Sequence, residues 1–539
     1  YRIRLFLGRV GIVLPPTSVI DEDHKELFLS IPSGLQPVVH LELTTEHGGQ
    51  LVFHYEYQAL TAIHEYHQGD NHWTSYRLTL PPEIPLGYHK ASITLEGIAP
   101  VVEGRVIVCP TQAYLPADLT NGGSTAGIAV TLYGLRSARN WGCGDFTDLC
   151  SLSDWVANDI EASFIALNPL HALHNRFPYN TSPYLPLSIF YKNFIYIDIE
   201  RVPEFEPNAE VRALLASTEV QQEITALRES EFVEYERVST LKKRFLKLLY
   251  AQFQADEKAG SERAAQFRKY VQQEGNLLER FALYCALDEV MHEEDPARWT
   301  WRDWPVHYQT PDSSACQQFA AEYRDAIDFY KYVQFVIEEQ LDAAQAHTRD
   351  RGMSIGLYHD LALATDSCGS DLWAYRNFYV TGCRVGSPPD AFAPKGQDWA
   401  FPPPNVLTHR ENGYELFRES IRKIVRHGGA WRFDHVMRLI RLFWIPDGIE
   451  AVDGVYFKDH AIDLMHILAL ESVHSQNIIV GEDLGTVTDE MRALLARFRI
   501  LSYRLLYFEK RQDGAFKFSN AYPRQALVSS TTHDLPTLA

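Results

Sequence analysis

From residue 127 onward the chain repeats one device. A short apolar run ends in polar residues and gives way to a stretch with helical periodicity. The runs are GIAVTLYGL (127–135), FIALNPLH (164–171), MSIGLYHDL (353–361), AWRFDHV (430–436), NIIVGEDLG (477–485), YRLLYFE (503–509) and LVSSTTHDL (527–535). Seven strand candidates alternating with helices predict a parallel α/β architecture. Four of them carry a carboxylate at their ends: Asp360, Asp434, Glu482 and Asp534. In a (β/α)8 TIM barrel the C-terminal strand ends converge on one face, where active sites lie, and that is the fold we expect, with helical insertions. The competing fold is a doubly wound open sheet. It usually binds phosphate through a glycine-rich first turn, which the NPLHALH segment after the second run lacks. Seven runs leave the count one short of eight. The C-terminal end of the barrel is therefore expected to lie beyond residue 539, and the absence of an initiator Met fits a fragment of a longer protein.

The remaining segments divide the chain. Residues 1–115 alternate apolar and polar residues, as in VVHLELTTEHGGQLVFHYEY, and predict one or two small antiparallel, sandwich-like β modules. The glycine-rich segment 116–126 reads as a linker and 127–539 as the barrel domain. Within that domain, residues 205–350 or so form a Glu/Gln/Leu/Ala-rich helical insertion. With 50 basic against 70 acidic residues the net charge is −20. No basic tract interrupts that excess, which argues against a nucleic-acid or anionic-membrane partner. No apolar stretch reaches membrane-spanning length. Seven scattered cysteines without a C-x-x-C pair read as reduced thiols in a cytoplasm, and neither a metal nor a cofactor is expected.

The run AWRFDHV holds the chemistry. Strand residues i and i+2 point to the same side, so Arg432 and Asp434 share a face. A neighbouring arginine favours the ionised carboxylate, which suits a nucleophile. Glu482 follows the apolar IIVG, and its neighbour Asp483 is a like charge able to help keep a proton on one carboxyl, as a general acid requires. Three carboxyls with an arginine and a histidine, and no Cys/His cluster, fit glycosidic-bond chemistry better than metal-assisted hydrolysis. The bland alternatives are a strand-joining salt bridge for Arg432–Asp434, a helix cap for Asp360 and core packing for Trp299, Trp301 and Trp304. The NWGCGD segment (140–145) reads as a structural turn before the first helix.

WRFDHVMRL, IIVGEDLGTVT, TTHDLPT, LRSARNWGCGDFTDL, ALNPLHAL, SPYLPLS and GSPPDAFAPKGQDWAFPPP resemble the motifs of the 4-α-glucanotransferases, the amylomaltases or disproportionating enzymes of glycoside hydrolase family 77. The likeness runs in order over about residues 128–539, and the β-rich extension is similar to that of the longer bacterial members. Carried over, it implies Asp434 as the nucleophile of a covalent glucosyl-enzyme, Glu482 as general acid/base and Asp534 as the carboxylate that stabilises the oxocarbenium-like transition state. It implies Arg432 and His533 as donors around the sugar at the cleavage point, Tyr184 as its stacking aromatic and Asp360 as a further pocket carboxylate. The segment from Gly386 to Trp399, with Asp390 and Trp399, becomes a loop over the cleft, and His435 joins the binding set. Two positions depart from the pattern: His359 stands where arginine is expected, and Ala400 where glycine is usual. The implied reaction is retaining transfer between maltodextrins or other α-1,4-glucans. Its rivals are an α-amylase-like hydrolase and a non-catalytic glucan-binding protein.

Overall fold

The computed structural model describes residues 13–68, 71–176, 181–390, 393–485 and 487–532. Seven parallel strands form one sheet in the order Gly127–Val130, Phe164–Leu167, Gly356–Leu361, Ala430–Phe433, Ile478–Gly481, Leu501–Leu505 and Ala526–Ser529. Each strand is adjacent in space to its neighbour in this series, so the curled sheet is a half-barrel wound in one direction. Alternation gives the sheet two apolar faces. Trp431, Phe433 and Ile479 pack outward against the helices. Phe164, Tyr358, Ala430, Val480 and Tyr503 pack inward on one another. Arg432, between Trp431 and Phe433, therefore has to face inward.

The helical insertion contains Ala209–Leu215, Thr218–Glu229, Tyr235–Lys258, Glu262–Glu294, Ser314–Glu322 and Arg324–Asp350. It buttresses the outside of the sheet. Glu274 binds Lys423 and, at 3.0 Å, Arg426, which ties the insertion to the helix Glu415–Val425. Trp301 and Trp304 are buried here, which settles those two as core. Asp145 caps the helix Phe146–Asn158 in a reciprocal box with Asp148.

The N-terminal region folds as one sandwich. Five strands lie in the order Thr17–Asp21, Ile98–Cys109, Gly87–Leu95, Val39–Thr44 and Gln50–Tyr55. Three more, with Asn71–Thr79 between Glu26–Pro32 and Thr61–Gln68, form the facing sheet. Inward residues such as Leu27, Leu29, Ile31, Leu41, Leu43 and Ile93 fill one core. The sandwich docks on the outer helices. Glu46 pairs with Arg422 at 2.7 Å, and the guanidinium groups of Arg418 and Arg422 lie 4.8 and 5.1 Å from the Tyr88 ring. Among the described residues no helix is long and apolar enough to cross a membrane.

Candidate active site

The C-terminal ends of the parallel strands open into a cleft of about 1340 Å³. Register explains who meets whom there. Asp360 is the direct cross-strand partner of Arg432, and both its oxygens accept from Arg432 Nη1 at 2.9 Å. Arg432 Nη2 reaches Asp434 Oδ1 at 2.7 Å, while the Tyr184 hydroxyl donates to Asp360 Oδ2 at 2.7 Å. One guanidinium thus joins two carboxylates, and it lies 5.8 Å from the rings of both Tyr184 and Tyr503. Asp360 caps no helix. It sits inside its strand and anchors the arginine.

Glu482 stands on the next strand end, beside Asp434. Its backbone N–H donates to Phe433 O, and its carbonyl accepts from Val436 N, both at 3.0 Å. Between them His435 adopts φ 47°, ψ 60°, a left-handed bend that aims its own N–H at Glu482 Oε2, 2.9 Å away. Leu484 N–H donates to Oε1 at 2.6 Å. Burial pushes the Glu482 carboxyl up to about 7; Arg432 and the two N–H groups oppose the rise, and the charge of Asp434 adds to it. Burial also raises Asp360, against the pull of Arg432. The like charge acting on Glu482 is therefore Asp434 and not the expected Asp483. Asp483 points to the other side of the strand, where it accepts from Ser502 Oγ at 2.5 Å and Tyr503 N at 2.8 Å.

Asp390, Trp399 and His435 also line the cleft. Burial lowers His435 to about 4, so its ring is neutral, and it meets Trp399 edge-to-face at 5.1 Å. The segment 386–399 springs from a sheet: Gly386 and Ser387 pair with Asp398 and Gln397, and the described residues between them, 388–390 and 393–396, form no helix or strand. Cys383–Ser387 pairs with Gln397–Asp398 and with Arg441–Pro446, which pairs with Val455–Lys458. The result is a four-stranded antiparallel wall. His533 and Asp534 lie outside the described residues; Ser529 to Thr532, just before them, line the cleft. His359 is buried, lowered by burial to about 3, and bonds the carbonyl of His427 at 2.8 Å. Tyr503 went unread in the sequence. Its place at the start of YRLLYFE, one strand beyond Glu482, is the signal that marks it.

Ala400 sits at φ 63°, a left-handed conformation that strains an L-residue and that glycine adopts freely. Ala400→Gly relieves that strain but gains unfolded-state entropy, so we expect a stabilisation of up to about 1 kcal/mol. Urea unfolding tests it, and a net loss of stability would contradict the strain.

A parallel α/β sheet with acidic residues and an arginine gathered at its strand ends has the layout of the barrel enzymes that act on glycosidic bonds. More narrowly, the chain belongs to glycoside hydrolase family 77, whose profile, described as 4-alpha-glucanotransferase, matches residues 130–539. The MalQ N-terminal beta sandwich domain matches residues 13–110. The chain is 36% identical over 465 residues to a Haemophilus influenzae 4-alpha-glucanotransferase, covering 86% of this chain and 66% of that protein. It is 36% identical over 474 residues to one from Mycobacterium tuberculosis, covering 85% and 63%. It therefore spans slightly less than two thirds of the length of these relatives. The crystal structure of amylomaltase from Corynebacterium glutamicum superposes with a TM-score of 0.82 at 30% identity, covering all of this chain and 72% of that one.

Proposed function

We propose that this protein is a 4-α-glucanotransferase that moves α-1,4-glucan segments between maltodextrins with retention of configuration. The observation that carries the reading is the pairing of unlike carboxyls on adjacent strand ends. Asp434 is held by Arg432 at 2.7 Å, whereas Glu482 is buried and keeps its proton up to about pH 7. In this reading Glu482 protonates the leaving oxygen while Asp434 attacks the anomeric carbon from the opposite face, which requires carboxyls about 5–5.5 Å apart. Glu482, now a base, takes the proton of the incoming 4-hydroxyl, and the second inversion restores the α-link. Asp534 would supply the third carboxylate and His533 a hydroxyl donor. That assignment is supported by the resemblance of T-H-D to the family motif and by the cleft-lining residues that precede it. Arg432, Tyr184, Asp360, Asp390, Trp399 and His435 would hold the sugars.

The same reading extends to architecture. The seven-stranded sheet would be the greater part of a (β/α)8 barrel, with residues 1–115 as a separate module and 116–126 as the linker. Transfer over hydrolysis needs a cleft that favours a sugar over water at the covalent intermediate. The antiparallel wall carrying Trp399 supports that, as does the family's activity in the relatives named above. Incubation of the pure protein with maltotriose tests the proposal. The expected product is a ladder of longer maltodextrins with free glucose. Glucose and maltose alone would favour the hydrolase, and no change at all the non-catalytic alternative.

A further inference from the structure

The cleft runs on past the carboxylates along the antiparallel wall. Trp399 follows one edge strand of that wall and meets His435 beside Asp434. Val455–Lys458 is the opposite edge. Three strand spacings, about 14 Å, separate the two edges, so the far one stands well away from the edge that meets His435. On it Tyr456 is 41% exposed and lines the cleft with Arg441 and Phe443.

We infer that Arg441 and Tyr456 form a distal sugar-binding position that takes a further glucose unit of a long α-1,4-glucan. The inference rests on the transferase reading above and adds a chain-length preference to it. Tyr456 is the cross-strand partner of Phe443, whose ring lies edge-to-face at 5.2 Å. Phe443 is itself pinned: a Cβ on Gly454 would fall 2.5 Å from its Cε1, so only glycine lets the ring lie there. Arg441 places its guanidinium over the Tyr456 ring, 4.0 Å from the centroid. Among the described residues no acceptor hydrogen-bonds that guanidinium, and no carboxylate pairs with it. An arginine held over an aromatic ring, with its donors unclaimed, offers a planar fork. Two adjacent pyranose hydroxyls match that fork, and the C–H face of a sugar packs on aromatic surface. An anion alone would not use the Tyr456–Phe443 pair, which favours the sugar.

The test compares maltoheptaose with maltotriose in the parent chain, Arg441→Met and Tyr456→Ala, by kcat/KM for transfer and by calorimetric Kd. Losing one charge-assisted contact is expected to lower the maltoheptaose-to-maltotriose ratio of kcat/KM about tenfold, with maltoheptaose Kd weakened to match. An unchanged ratio, or an equal loss for both sugars, overturns the distal position. If Tyr456→Ala disturbs the edge strand, seen as a lowered Tm, Arg441→Met decides. Failure of the parent to elongate maltotriose would sink the transferase reading alone, because the calorimetric comparison needs no turnover.

Discussion

Asp434→Asn is expected to lower kcat/KM for glucan transfer by roughly 10⁴-fold or more, with the fold and the affinity for maltooligosaccharides kept. The carboxamide fills the space of the carboxylate but is no nucleophile, so no glucosyl-enzyme forms. Its oxygen still accepts from Arg432 Nη2, which now lies 2.7 Å from Asp434 Oδ1. Arg432 is not orphaned either, since both oxygens of Asp360 remain on its Nη1 at 2.9 Å. Removing one of three crowded acidic groups relieves repulsion felt by Asp360 and Glu482, so the variant should melt no lower than the parent. Maltotriose turnover and calorimetric binding measure the two halves of the expectation. Turnover within tenfold of the parent would refute the nucleophile assignment. Lost binding with an intact fold would show that Asp434 holds the ground state as well.

What the sequence made legible were features with a local period. The two-residue spacing of Arg432 and Asp434 between outward Trp431 and Phe433 puts both polar groups on the inner face, and alternation of strands and helices is enough to order the parallel sheet. Features that depend on distant partners were not legible. Asp360 read as a cap because its anchors, Tyr184 and Arg432, lie 176 and 72 residues away. Asp483 read as the charge that helps keep a proton on Glu482 because sequence adjacency hides that these two successive residues at the strand end face opposite ways. The strand pairing at the ends of the 386–399 loop was hidden because Cys383–Ser387 pairs with Arg441–Pro446, some sixty residues on. His435 illustrates a third kind of limit. Nothing in R-F-D-H announces a left-handed residue, yet that bend gives Glu482 one of its two backbone donors. Strain of this sort at a site is visible only once the backbone is.

Glu482→Gln carries the second large effect, and its stability should change sign with pH. In the proposed role of general acid Glu482 would act only while protonated, and burial pushes its pKa up to about 7. The kcat/KM of the parent should therefore fall about tenfold per pH unit above that value. The Gln variant should lose 10²- to 10⁴-fold in activity, on the scale of general acid catalysis, and its residual rate should lack the alkaline limb. The stability argument runs through the same proton. The folded pKa of about 7 exceeds the ordinary 4.5, so between these values the folded state binds more protons than the unfolded. Stability from this group is then full at acid pH and falls as pH rises to about 7, by on the order of 3 kcal/mol. Gln cannot ionise and escapes that loss, but its amide NH₂ meets one of the two backbone donors, His435 N–H or Leu484 N–H. That clash costs about 1–2 kcal/mol at any pH. The variant should thus be less stable than the parent at pH 5, by up to about 1 kcal/mol, and more stable at pH 8, by about 1–2 kcal/mol. Urea unfolding of both proteins at the two pH values measures this directly. A stability difference that stays constant with pH would mean that Glu482 does not titrate near neutrality and cannot be the acid.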